Sequence, residues 1–212
     1  MLGVYVTVPV ACFRKGLARE YLETDPLPPP ATCYGFLLSL VGETDRRRHM
    51  GVRIAPVLLN EPEMSVVLRT IWRVKKTPLG SAGNSRPDYQ QLLTGVQLVI
   101  WLDSREETGA GLESRVGTAL TDPDSISRFG GLSLGESTHL VDEVSRLEAV
   151  KSRLDDHSGR AFLLAERGRL TLPVWVDHVG STETRYVTGN LVDAPILESP
   201  ALDLMPRILA NS

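Results

Sequence analysis

The chain has 212 residues, 42% of them hydrophobic and 23% charged, which is typical of one large globular domain or one domain with a small appendage. Its longest apolar run, residues 36–41, is too short to cross a bilayer, and its first residues lack the features of a signal peptide. We therefore expect a cytoplasmic protein without a membrane partner.

Two cysteines, Cys12 and Cys33, are too few for a disulfide framework or a cysteine-rich zinc site. The net charge of −3 is unevenly distributed. Residues 1–86 contain 12 Lys and Arg against 7 Asp and Glu, whereas residues 87–212 contain 11 against 19. This asymmetry suggests one surface for a polyanion and another for protein neighbours, although charge segregation of this size also arises by chance in enzymes.

The first half of the chain predicts alternating strands and one helix. Residues 2–12 alternate with a period of two and form a half-buried strand, in which Pro9 requires an edge or a bulge. A long loop over 14–30 leads to a helix over 32–41, with Thr32 as its cap and Gly42 as its left-handed stop. Residues 52–59 form an irregular strand.

A strand over 64–76 pairs with a strand over 96–103, and the polar residues between them form a protruding finger at about 76–95. Short helices over 111–120 and 122–128 precede a glycine-rich loop and a strand over 139–147. This strand, helix, strand, strand, helix, strand order predicts an α+β, ferredoxin-like domain over 1–148. Strands over 161–166, 170–176 and 185–192 make 149–212 a small β-rich C-terminal portion.

Three segments carry a family resemblance: PPPATCYGFLLSLVGE at 28–43, NSRPDYQQLL at 84–93 and FGGLSLGES at 129–137. In this order and spacing they resemble the fifth CRISPR-associated (Cas) protein family, over about residues 1–145. Members of that family are the RAMP-type subunits that hold the 5′ handle of CRISPR RNA in type I Cascade complexes. The motifs are closest to subtype I-B or a related variant.

The resemblance implies a subunit that binds CRISPR RNA, caps the backbone filament, contacts the large subunit and meets target DNA only through the complex. No cofactor or metal is implied. The residue types fit RNA binding, which needs cations for phosphates, flat surfaces for bases and exposed backbone for close contact. The candidate RNA-binding residues are Arg14, Lys15, Arg19, Thr32, Tyr34, Arg69, Arg73, Lys75, Lys76, Arg86, Gly130, Gly131, Gly135 and Ser137.

Several of these candidates have a simpler interpretation. Free N–H groups at the helix start, near the cations of the 14–19 segment, would suit a phosphate, but an ordinary buried helix explains the same pattern. Tyr34 is equally compatible with a core position, and the glycines with a tight turn. The run from Arg46 to Arg48 is typical of a solvated charged segment.

Two other function classes remain open. Some members of the resembled family, those of subtype I-C, cut the CRISPR RNA precursor without metal, using Tyr, Lys and His. No such triad can be mapped here, because Lys75 and Lys76 stand next to no histidine. We therefore expect no catalytic residue and no enzyme, with a metal-independent endoribonuclease as one alternative and a protein-interaction module without RNA as the other.

Overall fold

The computed structural model describes residues 1–16, 21–72, 78, 80–109, 111–154, 158–179 and 182–210. Within these residues the helices are α1 (Pro30–Leu40), α2 (Leu112–Thr121) and the single turn α3 (Leu147–Val150). The strands are β1 (Leu2–Ala11), β2 (Tyr21–Leu22), β3 (Arg53–Leu58), β4 (Glu63–Trp72), β5 (Ser85–Asp103), β6 (Glu143–Arg146), β7 (Ser158–Leu164), β8 (Leu170–Trp175) and β9 (Arg185–Pro195). No helix in the described part of the chain is long and apolar enough to cross a bilayer.

The centre of the sheet has the strand order β6-β1-β5-β3, and every neighbouring pair in it is antiparallel. With α1 between β1 and β3 and α2 between β5 and β6, this is the ferredoxin-like arrangement, and the predicted α+β fold class is confirmed. The strands β7, β9 and β8 continue the same sheet beyond β3. The division at residue 148 stays a prediction.

The two faces of the sheet are both covered. The alternation in β1 sends Val4, Val6 and Val8 into the core with α1 and α2. On the opposite face Tyr5 and Trp101 are buried in a second cluster, which contains residues of α3 together with Ile196 and Met205. RNA-recognition domains stack bases on the open face of such a sheet. Because that face is closed here, it offers no open platform on which bases could stack.

The finger has a different pairing from the predicted one. β4 pairs with the first half of β5, so that Glu63 lies opposite Thr94 and Trp72 opposite Ser85. The segment over 96–103, which we expected to pair with β4, lies between β1 and β3. β5 is thus a single strand of 19 residues. Its polar first half belongs to the finger and its apolar second half to the core, and no turn separates the two halves.

The start of α1 also corrects the prediction. The helix begins at Pro30, and its N-cap is Pro29, which makes no side-chain capping bond; Thr32 is not the cap. The backbone N–H groups of Thr32 and Cys33 both donate to the carbonyl oxygen of Pro29. The expected row of free N–H groups for a phosphate is therefore absent from these positions. Gly42 adopts the predicted left-handed conformation, with a φ of 66°.

Candidate nucleic-acid interface

One face of α1 is open to solvent although the rest of the helix is buried. Its exposed or half-buried side chains are small: Ala31, Thr32, Gly35 and Ser39. They recur at helical spacing and line a chamber of about 300 Å³, which we call the central chamber. A Cβ atom placed on Gly35 would meet nothing within 4 Å. The small side chains therefore leave room for a ligand against the helix backbone.

The glycine-rich loop forms one wall of the central chamber through Ser133 and Gly135. Gly135 has a φ of 101°, and a Cβ atom there would lie 2.7 Å from the carbonyl oxygen of Cys12. A side chain at this position would thus be strained and would clash with the end of β1. Only glycine allows the loop to approach the backbone at Cys12 this closely.

Arg46 and His178 also line the central chamber. The guanidinium of Arg46 stacks on the ring of Trp175 at 4.3 Å and donates to the carbonyl oxygen of Val176 over 2.9 Å. It forms no ion pair with any described residue. Because its position is held without a carboxylate, its charge stays available to an anion in the chamber.

A cluster of buried and half-buried polar side chains holds the turn that carries Arg46. Glu43 accepts a hydrogen bond from Arg115 over 2.6 Å, and this bond lowers the pKa of Glu43 to about 2. His49 lies between Glu107, 2.5 Å from its Nδ1, and Arg115, 2.8 Å from its Nε2. A guanidinium only donates, so Nε2 accepts and Nδ1 carries the proton toward Glu107. The turn is therefore rigidly attached to α2.

A second chamber, of about 630 Å³, continues along α1 toward its C-terminus and shares Gly35, Ser39, Arg46 and His178 with the first. We call it the Phe129 chamber. Phe129 is fully exposed, and Arg128 beside it donates to the carbonyl oxygen of Gly130 over 2.7 Å. An aromatic ring without contacts to the core, next to a cation, is a suitable platform for an unstacked base.

A third chamber, of about 300 Å³, adjoins the central one at Val176. We call it the Arg14 chamber. Arg14 and Lys15 are exposed there, and neither forms an ion pair with the described residues. Tyr186 of β9 is 57% exposed at the same chamber. The three chambers together make one groove, which has cations along its length and an exposed aromatic ring at each end.

The predicted residues are only partly brought together. Thr32, Tyr34 and Gly135 line the central chamber, whereas Arg14 and Lys15 lie in the neighbouring one. Gly130, Gly131 and Ser137 are exposed outside these chambers. Tyr34 is 2% exposed, and its hydroxyl donates to the carbonyl oxygen of Arg46, so it is a core residue and offers no face for stacking.

The two finger cations that the structure describes, Arg69 and Arg86, have protein partners. Arg69 forms an ion pair with Glu136 at 3.0 Å and also contacts Gln90, and Arg86 donates to Asp88 over 2.9 Å. Gln90 in turn donates to Glu136 over 3.0 Å. The side chain of Glu136 thus joins both finger strands to the glycine-rich loop. Arg19, Arg73, Lys75 and Lys76 lie outside the described residues.

Sequence reasoning missed Arg46, Arg128, Phe129, Tyr186 and His178 as groove residues. Arg46 stands in a run of three arginines, and the sequence gives no reason to prefer it to the other two. Its stacking on Trp175 in the folded protein distinguishes it as a groove residue. Phe129 is the first residue of the glycine-rich segment 129–137, so among these five residues it is the one that the sequence motifs could have indicated. Within the described residues, no three His, Cys, Asp or Glu side chains form a group that could hold a metal ion.

Comparison with known proteins identifies the family. No protein-family model matches the chain. A protein described as CRISPR-associated protein Cas5, from Myxococcus xanthus (strain DK1622), is 52% identical over 212 residues, which cover 98% of this chain and 97% of that protein.

Two solved structures share the fold. One, described as a CRISPR RNA-guided surveillance complex, has a TM-score of 0.59, 13% identity and coverage of 95% of both chains. The other, described as a Cas protein, has a TM-score of 0.55 and 15% identity, and covers 92% of this chain and 95% of its own. The family predicted from the three motifs is confirmed: this chain belongs to the Cas5 family of CRISPR-associated proteins.

Proposed function

We propose that this protein is the non-catalytic subunit of a type I Cascade effector complex that grips the 5′ handle of CRISPR RNA. The observation that carries the proposal is the groove formed by the three adjoining chambers, two of which lie along α1. Arg128, Arg46, Arg14 and Lys15 are spread along it, and none of these cations forms an ion pair with a described carboxylate. A single-stranded RNA needs this combination of a cationic path, stacking surfaces and close backbone approach.

Membership in the Cas5 family supports the same assignment. A structure of the same fold is described as a CRISPR RNA-guided surveillance complex, which agrees with a role in such an assembly. In this role the handle follows the groove, with its phosphates against the arginines and its splayed bases on Phe129 and Tyr186.

The finger supplies the contact with protein neighbours. Met64, Val66 and Leu68 alternate along β4, so they share one face of that strand, and each is largely exposed. A row of exposed apolar side chains of this kind marks a protein interaction site. We assign this row to the backbone filament subunit, whereas contact with the large subunit rests on the family alone.

The test is incubation of the purified chain with labelled precursor CRISPR RNA in a chelator, read by gel shift and by product size. A shift of intact RNA is the expected result. A discrete cut in the repeat would make the chain a metal-independent endoribonuclease and would contradict the non-catalytic assignment. Absence of any salt-sensitive binding would contradict RNA binding by the chain and would favour a protein-interaction module.

Arg46 provides a matched pair of variants. Arg46→Ala should weaken handle binding and reduce the slope of log K against log salt by about 0.7, the value for one phosphate contact to a single strand. Arg47→Ala removes the same charge one residue away, from an exposed side chain outside the groove, and should change neither quantity. Arg46→Lys should retain most of the slope, since the charge remains. Equal effects of the two alanine variants would refute the placement of RNA in the groove.

A further inference from the structure

The Arg14 chamber contains a buried carboxyl group that has no role in the cationic path described above. Asp25 lines this chamber and is only 5% exposed. Its backbone N–H donates to the carbonyl oxygen of Phe13, but its carboxylate forms no hydrogen bond or ion pair with the described residues. Buried carboxylates are normally paired or hydrogen-bonded, because losing their water is costly. Asp25 therefore leaves hydrogen-bonding capacity unused beside a cavity.

The surroundings of Asp25 fit a nucleotide. Arg14 and Lys15 are exposed cations at the same chamber, suited to a phosphate. Tyr186 presents a half-exposed ring on another side, suited to a base. The neighbouring carboxylate, Asp177, accepts the backbone N–H of Val179 over 2.9 Å, so it already has a partner.

The chemistry of Asp25 restricts which base can bind. Burial raises its pKa to about 6, while the charge of Lys15 lowers it, so near neutral pH the group is mostly ionised and only accepts hydrogen bonds. Guanine has two adjacent donors on its Watson–Crick edge, N1–H and the N2 amino group. Adenine and cytosine have one donor there beside an acceptor, and uracil has one donor between two carbonyls. Only guanine can satisfy both oxygens of the carboxylate at once.

We propose that the Arg14 chamber is a guanine-selective nucleotide subsite, in which Asp25 reads the Watson–Crick edge, Tyr186 stacks on the base, and Arg14 and Lys15 hold the phosphate. This inference rests on the proposed RNA-binding function and deepens it, because it makes recognition of the bound strand dependent on the base at one position.

The test uses four RNA octamers, UUUXUUUU, with X as guanosine, inosine, adenosine or cytidine, titrated into the full chain at low salt and pH 7.5 with fluorescence anisotropy as the readout. A bidentate contact of this kind discriminates by about tenfold, so the guanosine octamer should bind about tenfold more tightly than those with adenosine or cytidine. Inosine lacks the N2 amino group and should bind with intermediate affinity.

Asp25→Asn keeps the shape of the side chain but replaces one acceptor oxygen by a donor, and it should reduce the guanosine preference to less than twofold. Asp203→Asn removes the same charge from an exposed side chain outside the groove and should leave the preference intact. Equal binding of all four octamers by the wild-type chain, or an unchanged preference in Asp25→Asn, would overturn the subsite alone. Failure of every octamer to bind would contradict the proposed function as well.

Discussion

Replacing Asp25 by Asn should stabilise the free protein while it removes base selectivity. The folded state raises the pKa of this carboxyl from 3.8 to about 6, mainly through burial. A shift of this size corresponds to about 3 kcal/mol at 1.36 kcal/mol per pKa unit. Because the carboxyl borders a solvent-filled chamber, we reduce this figure to about 1–2 kcal/mol for the stabilisation expected at pH 8.

The sign of the effect depends on pH in a defined way. The folded carboxyl binds its proton more tightly than the unfolded one, so its destabilising effect is absent below about pH 4. The effect grows as the pH rises and is complete above about pH 7. The advantage of Asp25→Asn should therefore be about half as large at pH 5 as at pH 8.

Chemical denaturation of both proteins at pH 5 and pH 8 measures this difference, with Asp203→Asn as a control that should show no pH-dependent gain. Near pH 8 the variant should also melt about 3–6 °C higher, as expected for a chain of this length. A variant that is less stable than the wild type, or whose gain is the same at both pH values, would refute the view that Asp25 is an unsatisfied carboxylate in the folded state.

Two further predictions concern the groove and the finger. Gly35→Ala should stabilise the protein by about 0.5–1 kcal/mol, because alanine favours the helix and its methyl group meets open space. Gly35→Leu should fill the central chamber and weaken RNA binding without loss of thermal stability. RNA binding by the Leu variant at the wild-type level would place the strand elsewhere. Leu68→Ser, at an exposed position of β4, should reduce co-purification with the backbone filament subunit but leave handle binding by the isolated chain unchanged. Ser65→Ala, on the other face of β4, is the matched control and should leave co-purification unchanged. Normal assembly of the Leu68 variant would exclude this face as the contact.

Local patterns were sufficient to predict most elements of the fold. The period-two alternation of residues 2–12 predicted the strand β1, although most of this strand is buried on both faces and not half-buried as expected. β6 pairs only with Val4 to Thr7, so the N–H that Pro9 lacks is not needed for pairing with that neighbour. The helix α1 and the left-handed Gly42 could also be predicted, since each depends on the conformational preferences of a few adjacent residues. The strand that pairs with β4 could not be predicted, because strand pairing depends on contacts between segments that are distant in the sequence.

The candidate site divides in the same way. Three ordered motifs were enough to assign the family, and residue types alone marked Arg14, Lys15 and Gly135 as suited to a polyanion. The folded chain was needed to see that Tyr34 is a core residue, that Arg69 is paired with Glu136, and that Arg46 is held over Trp175 as a groove residue. The physical reason is that a charge acts according to its partners and its exposure, and these are set by residues far away in the chain.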